Sequence, residues 1–476
     1  MKRLLTLFAT AAVAFPGMSQ VSLDSCRNMA LRNNKTIRMA DENIRMAQHY
    51  KDAARAAWLP GIDFAGTYMY NQHEISLLGE DAKLPTMSFD PATQSYQYNL
   101  VKDQNGVPVK NPATGSYIPS EVAVIPKEAM TYDVHNVFAG AFTLTQPIYM
   151  GGQIKAMSDI AGYGKQFAQA TRNNLTQDVV YSVDEAYWTV VSLKEKRLLA
   201  ESFVNLVDTL LFNVNAMLEE GVATRSDLLT VEVRLNEAKI ALTKVDNGLA
   251  LSRMALAQLC GLPVDTKMTL QDETAPSAAA PHLTPQPNME DVFSRRADLE
   301  MLRQTINMLR GKEKLTLGEM LPKVALTGAY GFSNPNVIDG FSKKFGGGFS
   351  VGATLMVPIW HWGGDYHRYR AAKSATKAQA LLLEDMEEKV RLQVSQALFK
   401  CDEARKTYDM TVLNLEKASE NLRQAQLGFQ EGVLTTNDVI MAQTAWLAAN
   451  SEKIDAEIGM RLCHTYLSKV TGDMAF

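Results

Sequence analysis

Two carboxylates stand at matched points of the sequence. Asp227 lies six residues past Gly221 in the segment 220–228, EGVATRSDL, and Asp438 lies six past Gly432 in 431–439, EGVLTTNDV. An acid in the first turn of a helix is favoured by the helix dipole. The other chemistry-bearing residues form no constellation. His361 and His367 flank a Gly-Gly pair without a third ligand, which argues against a metal. The 23 methionines suggest soft-metal chemistry, but Met39/Met301 and Met46/Met308 are equivalent helix positions seven apart, so core packing is the expectation. With no nucleophile–base set and no phosphate loop, neither an enzyme nor a cofactor is expected.

The elements that position these residues are duplicated. LPGIDFAGTYMY (59–70) recurs 262 positions later as LPKVALTGAYGF (321–332). FTLTQPIYMGG (142–152) returns as ATLMVPIWHWGG (353–364), and the two acid-bearing segments are 211 apart. Three blocks in the same order mark a tandem duplication. Each block marks a joint: helix into strand, strand into helix, helix into helix.

Composition narrows the class. A net charge of −4 gives no reason to expect nucleic acid. Lys2 and Arg3 precede an apolar run, Leu4 to Ala14, and small residues follow, which reads as a signal peptide over 1–19. No later run is apolar enough for a transmembrane helix. The four cysteines, Cys26, Cys260, Cys401 and Cys463, read as helical, and their repeat equivalents are not cysteine. They are expected to act as small buried hydrophobes rather than as disulfides, although export permits the latter.

Each repeat reads helix, strand, loop, strand, long helix, turn, long helix. The first repeat covers 20–270, a Pro/Ala-rich linker 271–287, and the second repeat 288–476. The opening helices are expected over about 22–58 and 288–320, with seams at Ala30, Ile37, Ala40 and at Val292, Leu299, Ile306. Long helical hairpins follow over about 152–262 and 364–472. Their heptad seams include Val179, Val183, Val190 and the copies Val390, Val394, Cys401. Strands are predicted near 61–71, 137–147, 323–333 and 348–358, with Ile62, Phe64, Tyr68 and Tyr70 on one face. Ten residues suffice for a tilted strand to cross a bilayer. Trp58, Tyr149, Trp360 and Trp362 collect at one end of the strands, as at a membrane–water interface. Four strands close no barrel, so the chain must oligomerise, and a trimer gives twelve strands and a lumen. The long first-repeat loop, 73–136, contains Asn105-Gly106, a hairpin signal.

This plan resembles the TolC family of outer-membrane factors, on the duplicated pattern, the Leu-Pro before the strands and the glycine turns between long helices. The resemblance implies a mainly α protein with transmembrane β: an α-helical barrel of long coiled-coil hairpins, continuous with a homotrimeric 12-stranded β-barrel in outer-membrane lipid. It implies an exit duct of tripartite efflux or type I secretion, reaching from the outer membrane into the periplasm. The tips Gly221, Val222, Thr224 and Gly432, Val433, Thr435 would meet a periplasmic adaptor, which works with an inner-membrane transporter. Asp438, with Asp227, would line the periplasmic gate as threefold rings whose mutual repulsion raises their pKa. The family's second acidic position holds Met441 here. The rival reading is a coiled-coil spacer or adhesion protein of the envelope, without a pore.

Overall fold

The computed structural model describes residues 20–273, 287–340 and 342–474. The signal segment 1–19 and residues 274–286 of the linker lie outside the described residues. The chain divides into two compact units, one of helices and one of strands.

The helical unit draws on α1 (Leu23–Asn33), α2 (Lys35–Ala56), α3 (Gln153–Glu219) and α4 (Arg225–Leu259) from the first repeat. The second repeat supplies α5 (Met289–Arg295), α6 (Ala297–Glu319), α7 (Gly364–Gln430) and α8 (Thr436–Thr471). At 1.5 Å per residue, the 67-residue α3 and α7 each run about 100 Å. The heptad positions carry the packing: Val183, Val190, Val231, Val390 and Ala397 are fully buried. One ion pair is enclosed with them. Asp184 is fully buried and takes two hydrogen bonds from Arg27, 2.7 and 2.6 Å, the paired geometry a buried charge requires.

The opening helix is not continuous in either repeat. It breaks at Asn34 and at Arg296, both with extended backbone (ψ 128° and 119°). Each break residue turns its side chain to the end of the returning helix of its own repeat. Asn34 Nδ2 donates to Leu259 O at 3.0 Å, and Arg296 donates to Val470 O at 2.9 Å. A satisfied helix-terminal carbonyl offsets the interrupted ladder. Two further expectations change. Residues 271–273 are not linker but a turn of 3₁₀ helix, where buried Glu273 pairs with Arg253 at 2.6 Å. Met39 and Met46 are not core: they lie on the face of α2 away from Ile37 and Ala40, 62% and 51% exposed.

The strand unit centres on an antiparallel sheet of β1 (Gly61–Tyr70), β8 (Asn136–Met150), β9 (Lys323–Asn334) and β10 (Gly346–Met356), in the order β1-β8-β9-β10. The loop between β1 and β8 is itself folded. It holds β2 (Ile75–Ser76) on β7 (Thr131–Tyr132), β3 (Ala82–Pro85) on β6 (Val122–Ile125) and β4 (Met87–Asp90) on β5 (Ser95–Tyr98). Pro147 sits in β8 beyond the last β1 partner, Thr145, and beside a register shift at 147/149, where its missing N–H costs no bond to β1.

Two glycine backbones press together where strand meets helix. Gly151 has φ +62°, and a Cβ there would strike the Gly318 carbonyl. A Cβ on Gly318 would lie 2.6 Å from Gly151 O and 2.7 Å from Gln153 Cγ. At Gly152 (φ +77°) a Cβ meets nothing within 4 Å. Overpacking costs roughly 1–3 kcal/mol beyond the backbone penalty. Gly151→Ala should therefore lower the melting temperature of the detergent-solubilised protein clearly more than Gly152→Ala. Equal shifts in parallel thermal melts would dismiss the close approach.

Candidate functional site

The two hairpin turns are built alike, from local backbone chemistry. At the end of α3, Gly221 (φ +76°) donates to Leu218 O at 3.0 Å and Val222 to Met217 O at 2.8 Å. At the end of α7, Gly432 (φ +73°) donates to Phe429 O at 3.1 Å and Val433 to Gly428 O at 2.8 Å. This is the Schellman closure, which needs a left-handed residue at the glycine. A Cβ on either glycine would meet nothing within 4 Å, so the constraint is backbone φ and not crowding. Val222 and Val433 project to solvent at 70% and 78% exposure, presenting bare apolar surface at each turn.

The next helix starts two residues later on a reciprocal cap. The Asp227 backbone N–H donates to Thr224 Oγ1 at 3.2 Å, while Asp227 Oδ2 accepts from Thr224 N and Oγ1 at 2.9 and 2.6 Å. Thr435 and Asp438 repeat the arrangement at 3.3, 2.8 and 2.6 Å. The threonine side-chain bond, then the backbone bond, hold both carboxyls below their ordinary value. Within one chain the direction is thus opposite to the raised pKa expected of a charged ring. A depressed folded pKa means that the caps stabilise at neutral pH and fail as pH falls below the usual 3.8.

Some cross-links between the two repeats were not foreseen. Lys196 of α3 pairs with Asp455 of α8 at 2.6 Å, and Arg234 of α4 donates to Thr444 of α8 at 2.6 Å. Buried beside Thr444, Gln443 Oε1 has no partner. Charged residues on exposed helix faces give no sequence signal of such pairing.

The sheet has two chemically different faces. In one cross-strand row Phe64, Phe142, Tyr330 and Phe349 are directly opposed across all four strands, and the next holds Ile62, Leu144, Gly328 and Val351. Phe64 and Phe142 have ring centroids 4.8 Å apart. Phe349 and Val351 are 82% and 79% exposed, which a soluble sheet would not leave bare on its apolar side. The alternate rows are Asp63, Thr143, Ala329, Ser350 and Thr67, Ala139, Ser333, Gly346, small and mostly polar. Trp58, Tyr149, Trp360 and Trp362 all lie exposed at the helix-proximal ends of the strands. The last two pack edge to face, 5.9 Å apart.

The histidines do not converge. His361 bonds Asp365 at 2.6 Å, and His367 packs on the Tyr366 ring. Among the described residues the one group with metal-ligand spacing is Glu74, Asp133 and His135. There the Lys343 ammonium lies 2.8 Å from Asp133 Oδ2, supplying the cation and, with His135, holding Asp133 well below the usual carboxylate range. The cluster ties the base of the long loop to the β9–β10 loop.

Known proteins carry the same organisation. The outer membrane efflux protein BepC of Brucella suis biovar 1 is 23% identical over 393 residues, covering 78% of this chain and 83% of BepC. The solved structure of CusC, described with the changes that accompany folding and transmembrane channel formation, superposes with a TM-score of 0.73 at 14% identity, covering 96% of this chain and 93% of that one. The outer membrane protein VceC of Vibrio cholerae superposes at 0.69 and 14% identity, over 94% and 96%. The family model described as outer membrane efflux protein matches residues 122–262 and 289–472, the greater part of both repeats. The chain, with its duplicated hairpins and its two-faced sheet, belongs to the outer membrane efflux protein family.

Proposed function

We propose that the protein works as a passive homotrimeric exit duct in the outer membrane, docked through its tips to a periplasmic adaptor and fed by an inner-membrane transporter. The observation that carries this reading is the four-stranded sheet, apolar and aromatic on one face, small and polar on the other, with β1 and β10 open at its edges. Lipid tolerates no open edge, and three copies supply the twelve strands that leave a lumen. The aromatic residues Trp58, Tyr149, Trp360 and Trp362 then mark the interface on the helical side. An envelope spacer has no use for a lipid-facing row. Native mass measurement of the detergent-purified protein should give three chains, and planar bilayers should acquire discrete conductance steps. A heat-modifiable monomer that conducts nothing would sink the shared barrel.

The tips are the docking surface in this reading, because Gly221–Thr224 and Gly432–Thr435 are short turns whose exposed valines are spare for a partner. Photo-crosslinkers at Val222 and Val433 should capture the adaptor, and aspartate at both positions should weaken export at least tenfold with trimer and insertion intact. Unchanged export in that double variant would remove the tips from the docking interface.

Asp438, with Asp227, lines the closed periplasmic end. Threefold symmetry would gather three carboxylates about one axis, a ring that attracts cations and resists anions. With Met441 in place of a second acid, divalent block should be moderate. The cap chemistry suggests a sharper test than charge removal alone. Thr435→Ala breaks the cap but keeps the carboxylate, whereas Asp438→Asn removes the charge. Single-channel recording should show selectivity and divalent sensitivity lost in Asp438→Asn and kept in Thr435→Ala. The same loss in both would make Asp438 a capping residue only.

A further inference from the structure

The fold brings all four cysteines together in two pairs. Cys26 of α1 and Cys260, the residue that caps α4, are free thiols in the structure, both fully buried in one core cluster, and Cys260 Sγ donates to Cys26 O at 3.7 Å. Cys401 of α7 and Cys463 of α8, also free thiols here, likewise share a cluster, with Ala397 and Leu467. Packing as a small hydrophobe accounts for any one of these residues. It does not account for four of four finding a cysteine partner across 234 and 62 positions of chain. The duplication adds an independent sign. The repeat equivalents of Cys26 and Cys260 are Asn288 and Thr471, and those of Cys401 and Cys463 are Val190 and Ser252. Each pair is present whole in one repeat and absent whole from the other, as expected if both members serve one bond.

We propose that in the outer-membrane protein these pairs are disulfides, Cys26–Cys260 and Cys401–Cys463. The first would staple the opening helix of repeat one to the end of its hairpin; the second would staple the two antiparallel helices of the hairpin in repeat two. The oxidant is a protein or small-molecule disulfide of the oxidising compartment through which the chain passes. One cysteine thiolate attacks the donor disulfide, forming a mixed disulfide and releasing one donor sulfur. Its partner then displaces the second donor sulfur. For each bond two protons leave the cysteines and two electrons pass to the donor, whose two sulfurs depart as thiols. Because Cys26 and Cys260 are fully buried in the finished core, the exchange belongs to the incompletely folded chain, and the completed core then shields the bond from reductants. Closing long loops is where a crosslink restricts the unfolded chain most.

Thiol counting on the wild-type chain decides the matter without a variant that risks misfolding. Full-length protein extracted from membranes is denatured in the presence of an alkylating agent, with and without prior reduction, and mapped by mass spectrometry. The expected result is no alkylated cysteine without reductant, four after reduction, and two crosslinked peptides joining 26 to 260 and 401 to 463. Alkylation of either member of a pair in the unreduced chain, or a crosslink in any other pairing, overturns the assignment for that pair.

Discussion

Backbone N–H and C=O groups in hydrocarbon have no water to turn to, and each one left unpaired costs several kcal/mol. On this chain the constraint falls on the outer edges of β1 and β10. A single copy answers it nowhere: the sheet stops at four strands and its apolar row is left exposed. The edge groups need partners from outside the four strands, and the proposed shared barrel is one way to supply them.

The turns show how little material a long helical hairpin needs. A left-handed glycine, two crossed backbone bonds and a threonine–aspartate exchange carry the chain from one long helix to another in five residues. Because Oδ2 of each aspartate is engaged by threonine, the carboxylate stays ionised and its position is fixed. The cap is thus a structural bond that also fixes where a charge sits.

Much of this was legible in the sequence because it is local. Alternation in 61–70 and 323–334 gives the strand faces, since side chains alternate with a period of two. Gly221 and Thr224 announce a helix stop and start within four residues. What escaped is set by partners far along the chain. Helical periodicity runs straight through Asn34 and Arg296, yet bonds to carbonyls 225 and 174 residues away break both helices. The exposure of Met39 and Met46 follows from which side of α2 meets α3, a fact that spacing alone does not encode. The opposition of Phe142 to Tyr330 depends on pairing between repeats, where a one-residue slip inverts every face.

Asn34 and Arg296 carry a consequence for the order of assembly. Each repeat is a ring of chain closed by a clasp between its first helix and its last carbonyls, at Leu259 and at Val470. A polypeptide delivered amino end first holds one half of the first clasp ready while more than two hundred residues have yet to arrive. Both strands of that repeat must pass before it shuts. The clasp at Asn34 can close only after Leu259 has been delivered, with α2, both strands and the whole hairpin of the repeat lying between its two partners.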